Sequence, residues 1–534
     1  MAATIREEGP GMSARKADSK DPKRPKDGDA KAKKDAAEEI VLRVVQPEVE
    51  RGNLELFHTP SRVAFATARI KDHYENFELN SSEFKDLLCR AIYTATGSMP
   101  SDAALKKVLR ILRGEALYGE KSRELPVFHR IAEASGNIYL DLCDQLWRVV
   151  EITPSGWWLK ENAPVRFVRS SVSRPLPEPK RGGNLDDIFE LVNINRRSDR
   201  VLFLSCMVGA LQTHAAYPIL FLCGSQGSAK STAERILAGL IDPAEPQTVT
   251  GHSSERDLLI DAQFSHLICI DNLSEIKDQF SDALCRLATG SGLRRRKLYS
   301  DSTLFALSAK NPLVMNGISQ IATRGDLLDR MISLKLEKIP ENKRRTEETI
   351  VQEFKAKRPA LLGALLDAVS VALRKQPYVK VGHLPRMADF STWVIAAESE
   401  LGFASGEFLD AYKANRAEAS DTSLEFSAIG LPVILLIDAN AGSWEGSVKD
   451  LLGTLNARFD DTEKRDPDWP KNPRALRSAL NRIDPNLEAA GYHVSWLKQD
   501  SHTRRRIVRI AKKSASPVEF RTTDAKKEEA ADGR

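Results

Sequence analysis

Apolar and polar positions along the chain fall into two periods, and the places where one gives way to the other predict its elements. Residues 218–223 (Pro-Ile-Leu-Phe-Leu-Cys) are a short continuous apolar run, the pattern of a buried strand. Residues 233–240 carry helical spacing and stop at Asp242-Pro243. Two further apolar runs, 266–271 and 311–318, predict strands that reach the polar residues Asp271 and Asn316. Upstream, Ser81 and Ser101 are placed as helix N-caps, and residues 138–142, 146–152, 157–160 and 165–169 alternate as a strand meander around a Thr153-Pro154-Ser155-Gly156 turn. Beyond Arg330 the pattern is helical, one long or broken amphipathic stretch over 342–374 with Pro359 opening a new turn, and more helices over 387–412. Residues 448–458 and 472–482 predict two more helices, the second with Asn472 as cap and Pro473 at its first position. Residues 492–497 and 504–510 then read as a strand pair around a polar turn.

Between the first strand and its helix lies Gly224-Ser225-Gln226-Gly227-Ser228-Ala229-Lys230-Ser231-Thr232. This is a phosphate-binding loop in all but one position, because Ala229 stands where the second glycine is usual. A buried strand delivers such a loop to the positive end of a helix, where backbone N–H groups surround a polyphosphate. Lys230 then contacts the β and γ phosphates, Ser231 ligates Mg²⁺, and Thr232 adds a donor near the α phosphate. Ala229 is expected to take helical dihedrals, whereas Gly224 and Gly227 suit positive φ. ATP and Mg²⁺ are the cofactors this loop implies.

A nucleotide hydrolase also needs a carboxylate for the hydrated metal, and Asp271 ends the strand that can supply it. Asn272 follows, where many such enzymes place a glutamate that polarises water, and an amide cannot take that proton. Glu275 is the alternative group for this task. Asn316 suits γ-phosphate sensing or water orientation. Arg324 and Arg330, in Thr323-Arg-Gly-Asp-Leu-Leu-Asp-Arg330, fit either a trans-acting arginine finger or an ordinary ion pair with Asp326 or Asp329. The run Arg294-Arg295-Arg296-Lys297-Leu298-Tyr299 lies between two of these strands, and is either a tracker of a nucleic-acid backbone or a solvated basic face.

The order of loop, Asp271 strand, basic hairpin, Asn316 strand and Arg-Gly-Asp-Leu-Leu-Asp-Arg resembles the superfamily-three helicases and the ATPase region of phage and mobile-element primase-helicases. Leu284-Cys-Arg-Leu-Ala-Thr-Gly290 and Pro385-Arg-Met-Ala-Asp-Phe-Ser-Thr-Trp393 resemble segments of the same group, and the likeness runs from about Leu54 to the C-terminal region. The resemblance implies an AAA+-type motor that assembles as a homo-oligomeric ring, a hexamer, and moves on single-stranded or forked DNA. The fold class expected is therefore an α/β P-loop (AAA+-like) ATPase core with helical collar and lid, an N-terminal α+β module and a C-terminal winged helix.

The expected boundaries are a disordered arm over 1–38, the module over 50–170, and a Pro- and Gly-rich linker over 171–184. They continue with the core and collar over 185–340, the lid over 341–420, the winged helix over 425–512 and a disordered tail over 513–534. Arg474, Arg477 and Arg482 on one winged-helix face, with Arg504, Arg505 and Arg506 on the wing, suit contact with DNA, although such folds also bind protein. Trp147, Trp157 and Trp158 are either core or stacking platforms beside Arg148 and Arg166. No paired carboxylates on strands of the module support a primase site.

Net charge is +5 across 534 residues, too small to diagnose DNA binding, so any basic surface is local. The six cysteines form no close pair, and with no leader and no apolar run near the ~18 residues of a membrane span, a cytoplasmic protein without zinc or membrane partner is expected. Three readings follow. One is an ATP-dependent helicase or primase-helicase motor in phage or mobile-element replication, and a second is a nucleotide-switch DNA-binding ATPase, an initiator, remodelling or defence protein without processive unwinding. A third makes the chain a DNA-binding scaffold with a relic loop.

Overall fold

The computed structural model describes residues 37, 39–247, 249–250, 255–274, 276–290, 293–296, 304–307, 310–318, 325–459, 465–466, 468–497 and 507–513, with 249–250, 293–296 and 304–307 described by backbone alone. The arm and tail expected at 1–38 and 513–534 lie outside these, apart from Ala37 and Lys513. Contacts divide the chain into two units, Met1–Ile70 with Glu75–Pro126, and Lys71–Tyr74 with Val127–Arg534.

Strands β1 (Leu54–His58), β2 (Ala64–Ile70) and β3 (His73–Glu78) form a sheet in that order, with β1 antiparallel to β2. Helices α1 (Ser82–Thr96) and α2 (Asp102–Tyr118) start where the Ser81 and Ser101 hydroxyls accept from the N–H groups of Phe84 and Ala104. Their helical-period residues Phe84, Leu88, Ile92, Val108, Leu112 and Ala116 are buried with Ala64 and Ala66.

From Val127 onward the second unit opens with the aromatic meander, ahead of its α/β core. Strands β4 (Ile131–Ala134), β5 (Asn137–Asp141), β6 (Val149–Thr153) and β7 (Gly156–Lys160) form an antiparallel sheet. This corrects the module expected over 50–170. Alternation along these strands predicts a half-buried sheet but not its partner, and that partner is the central domain. Ile138, Leu140, Val150, Ile152 and Trp157 are buried in one cluster with residues of α3 (Arg197–Ala210) and the later helices. Trp157 Nε1 donates to Asp367 at 2.9 Å, and Ser370 Oγ donates to the Thr153 carbonyl at 2.6 Å. Trp157 is therefore core, and the Trp147 ring is covered by the Arg169 guanidinium at 3.8 Å. The run expected at 165–169 contributes only Arg166–Phe167, paired in parallel with Val127–Phe128.

The linker expected at 171–184 is a strap laid on the same domain. Leu176 is buried, Arg174 N donates to the Pro243 carbonyl at 2.8 Å, and Lys180 N donates to the Pro359 carbonyl at 2.8 Å.

The α/β core holds β8 (Ile219–Cys223), α4 (Lys230–Ile241), β9 (Val249–Thr250), β10 (Ile268–Leu273), α5 (Asp278–Thr289), the hairpin β11 (Leu293–Arg296) and β12 (Leu304–Leu307), β13 (Leu313–Gly317), α6 (Gly325–Leu328) and β14 (Met331–Lys335). Five of these strands make a parallel sheet in the order β9-β10-β13-β8-β14. Strands buried on both faces read as continuous apolar runs, which is why β8, β10 and β13 stand out in the sequence. The Asp271 strand is not adjacent to the loop strand, since β13 with Asn316 lies between them.

Helices α7 (Glu347–Lys375), α8 (Ala388–Ala397) and α9 (Glu407–Phe426) follow. Pro359 sits inside α7 without ending it, so of the long or broken stretch expected over 342–374 the structure forms one long helix. The C-terminal part is α10 (Gly430–Ala439), β15 (Ser443–Ser447), α11 (Val448–Arg458), α12 (Pro473–Ala489), β16 (Tyr492–Leu497) and β17 (Ile507–Lys512). Its strands form an antiparallel sheet, β15-β17-β16, over a core that includes Val433, Leu451, Leu455, Leu476, Leu480, Val494 and Val508. The far end of α12 rests on the central domain, where Asn486 Nδ2 donates to Ser423 Oγ at 3.0 Å and Pro485 packs beside Gly325. Among the described residues, no single helix is long and apolar enough to cross a membrane.

Candidate functional site

The loop from Gly224 to Ala229 leaves the C-terminal end of β8 and enters α4 at Lys230. Gly224 has φ +156°, and a Cβ there would lie 2.3 Å from the Leu336 carbonyl oxygen; Gly227 has φ +82°. Both positions need glycine, one for close backbone approach and one for the left-handed turn. Ala229 also lies in the left-handed region, at φ 61°, where helical dihedrals were expected. The usual glycine there answers this backbone, and the methyl group sits in it under strain of about 1–2 kcal/mol. Ala229→Val, with a branched Cβ at the same positive φ, is expected to destabilise the protein by about 1–3 kcal/mol, and Ala229→Gly to leave its melting temperature unchanged or raised. Calorimetric melting of both variants checks this, and equal melting of the Val and Gly forms would contradict it.

Lys230 folds back over its own loop, with Nζ donating to the Gly224 carbonyl at 2.8 Å and the Ser225 carbonyl at 3.1 Å. Burial lowers its pKa from the ordinary lysine value. Ser231 Oγ donates to Asp271 Oδ1 at 3.0 Å, so the helix start and the carboxylate strand meet across β13. A hydroxyl and a carboxylate converging beside a lysine-bearing loop form the oxygen donor set that Mg²⁺ takes. Among the described residues, no group of three or more His, Cys, Asp or Glu side chains is placed to hold a metal ion.

Asn272 is left-handed too, at φ 60°, and the register of β10 against β13 shifts between Ile270 and Leu273. Asn316 is placed differently from its expected role. It is 2% exposed, its Oδ1 accepts the Asn272 N–H at 3.1 Å, and its Nδ2 donates to Glu234 Oε2. Both ends of the amide are thus committed inside the protein, and neither is turned towards solvent.

Sequence reading missed three residues that shape this site. Glu234, on α4, is fully buried, and burial pushes its carboxyl up to about 8 with Asp271 adding to the rise. Its signal was legible as a carboxylate among the apolar positions Ala233, Ile236 and Leu237. Asn193 Nδ2 donates to the Ser228 carbonyl at 3.2 Å and the Glu337 carbonyl at 2.6 Å, tying the loop to the chain after β14. The Ile339 N–H donates to the Gly227 carbonyl at 3.2 Å, and the same segment brings the Arg344 guanidinium beside Gly227. No local pattern announces Asn193 or Arg344.

Arg330 is part-buried and Nη1 donates to the Asp326 carbonyl at 2.5 Å, while Asp329 pairs with Arg386 at 2.8 Å and with Arg416. The basic hairpin pairs Leu293 to Arg296 against Leu304 to Leu307, placing Arg294 and Arg296 on one face of the ladder and Arg295 on the other. On α12, Arg474 and Arg482 are exposed, and the Arg477 guanidinium lies 4.8 Å over the Trp496 ring. Glu275, Lys297, Arg324, Arg504, Arg505 and Arg506 lie outside the described residues.

Residues 185–422 match the family model of the actinomycete integrative conjugative element replication protein, AICE RepA, and residues 429–525 match the AICE RepA C-terminal domain. Over these residues the chain is similar to the replication proteins of mobile elements. The matched regions take in the loop, Asp271, Asn316 and Arg330 in the first case, and α10 to β17 in the second. No curated protein matches the chain. Among solved structures, SCCmec type IV Cch, described as an active helicase, aligns over 86% of this chain and 93% of its own at 13% identity and TM-score 0.44. The apo C-terminal region of NrS-1 aligns over 87% of this chain and 97% of its own at 10% identity and TM-score 0.37. Neither likeness is close enough to transfer a fold or an activity.

Proposed function

We propose that the chain is an ATP-dependent DNA motor of the helicase or primase-helicase type, acting in replication of a mobile element and related to the superfamily-three ring ATPases. The observation that carries this reading is the meeting of Lys230, Ser231 and Asp271 at the end of a parallel sheet, where a glycine-bounded loop opens onto a helix N-terminus. Lys230 and the loop N–H groups would hold the phosphates of ATP, while Ser231 and Asp271 would hold Mg²⁺ through oxygen ligands. When bound, the metal supplies charge neutralisation on the transferring phosphoryl group. On binding ATP the ammonium of Lys230 would exchange two loop carbonyls for phosphate oxygens. Arg324 or Arg330 would supply the cation in trans to a neighbouring subunit in a hexameric ring.

The segment after β14 adds a second layer. Arg344 beside Gly227, and Asn193 across Ser228, link the loop to the helical region that follows, so that region is proposed as the lid. The helix pair α11 and α12 with the β16–β17 hairpin is proposed as a winged helix, with Arg474, Arg477 and Arg482 facing DNA phosphates, joined by Arg294, Arg295, Arg296 and Lys297 of the core hairpin. Arg474→Ala with Arg477→Ala is expected to weaken duplex DNA binding at least about tenfold and to reduce the salt slope by roughly two. Fluorescence anisotropy across a salt series measures both, and an unchanged slope would remove α12 from the DNA surface.

A second reading, a nucleotide switch that remodels DNA without processive unwinding, is favoured by Asn272 standing where a carboxylate would activate water and by Asn316 facing inward. Strand displacement on forked DNA separates the two. A motor releases the displaced strand only with hydrolysable ATP, whereas a switch binds both ligands and displaces nothing.

A further inference from the structure

Glu234 is a carboxyl buried in the core. It is 0% exposed, on the face of α4 where Ala233, Ile236 and Leu237 are buried, and a leucine there would pack against the sheet without the desolvation a carboxyl suffers. Its contacts are specific. Oε2 accepts from Asn316 Nδ2, and Oε1 has no hydrogen-bond partner among the described residues. Asn316 passes the restraint on, because its Oδ1 accepts the N–H of Asn272, the left-handed residue that follows Asp271. The amide can sit only this way round, since a flip would set Oδ1 against Oε2 and the NH₂ against the peptide N–H.

Helix α4 therefore reaches the irregular end of β10 twice. Ser231 Oγ meets the Asp271 carboxylate directly at 3.0 Å, and Glu234, one turn further along, fixes the next peptide unit through Asn316. We infer that Glu234 is a positioning residue for hydrolysis, holding the Asn316 amide so that the Asn272 turn presents Asp271 towards Ser231. The inference rests on the ATPase reading of the site. Burial raises this carboxyl to about 8, and in its neutral form it serves as a fixed acceptor for the Asn316 N–H without placing a second negative charge behind Asp271.

The test uses the full chain and compares wild type, Glu234→Leu, Glu234→Gln and Asn316→Ala for kcat, KM for ATP, affinity for a fluorescent ATP analogue, and melting temperature. Glu234→Leu, which fills the volume without an acceptor, is expected to lower kcat about tenfold while KM and analogue affinity stay within about twofold. Glu234→Gln keeps a carbonyl for the Asn316 N–H and is expected to hold kcat within about twofold of wild type. Asn316→Ala is expected to repeat the loss of kcat, and to add nothing when combined with Glu234→Leu. A wild-type rate in Glu234→Leu, or equal losses in the Leu and Gln variants, overturns the inference, as does a kcat loss that follows melting temperature. If Glu234→Leu does not fold, Asn316→Ala decides instead: a wild-type rate in that variant overturns the inference, and a selective kcat loss supports it. Absence of turnover in the wild type removes the ATPase reading itself, whereas turnover untouched by these variants removes only the role of Glu234.

Discussion

Lys230→Ala is expected to lower ATP hydrolysis at least about a hundredfold, the scale of removing a group that meets developing phosphate charge. The effect should fall on chemistry and phosphate binding, because the Lys230 ammonium is part-exposed and, among the described residues, bonds only to carbonyls of its own loop and, at 3.5 Å, to Ser228 Oγ. The fold should stay intact, with an unchanged melting temperature. Lys230→Arg is not expected to rescue it, since a planar fork cannot fold over the loop as a compact ammonium does. A coupled-enzyme assay of phosphate release measures the rate, and survival of DNA-stimulated turnover in Lys230→Ala would show that the loop is not where phosphate is cut.

The largest stability effect is expected away from that loop, at Arg130. Its side chain is 1% exposed, and Nε donates to Asp242 at 2.7 Å. Nη1 donates to the Asp141 carbonyl at 3.1 Å, and Nη2 to the Arg174 and Pro243 carbonyls at 2.9 and 3.2 Å. The other oxygen of Asp242 accepts the N–H groups of His266 and Leu267 at 2.8 and 3.1 Å. One guanidinium thus joins the end of β5, the strap before the central domain, the end of α4 and the approach to β10. Arg130→Met keeps much of the volume but strands the Asp242 charge, and is expected to cost about 3–5 kcal/mol. Adding Asp242→Asn should recover part of the loss, because the neutral amide leaves no buried charge unpaired. Urea unfolding of the single and double variants measures this, and a cost below about 1 kcal/mol for Arg130→Met would show that the network adds little.

Both predictions draw on features of unequal legibility. The loop, β8, β10 and β13 were readable because strands covered on both faces leave continuous apolar runs, and a glycine turn followed by Lys230 and Ser231 interrupts them. Ser81 and Ser101 were readable because a cap is a local hydrogen bond. The meander was readable as strands but not as part of the central domain, because period-two alternation identifies a buried face without naming what buries it. Arg130 was invisible for the same reason, as its partners lie far along the chain and no short pattern links them. Ala229 was misread because a left-handed backbone is imposed by the loop as a whole, while the residue type suggested a helix. Asn316 was found as the polar end of a strand, yet its inward direction depends on Glu234, a residue that ordinary periodicity would replace with leucine.

The C-terminal part connects to the same logic through α12. Arg474 and Arg477 lie in its first turns, and Pro485 and Asn486 in its last turns rest on Gly325 and Ser423 of the central domain. The last turns of this helix are thus seated beside the segment that carries Arg330.

The most direct measurement is steady-state ATP hydrolysis by the full chain with and without single-stranded DNA, beside Lys230→Ala. Turnover that rises with DNA and disappears in the variant is the expected result, and wild-type turnover no greater than that of Lys230→Ala under both conditions would contradict it.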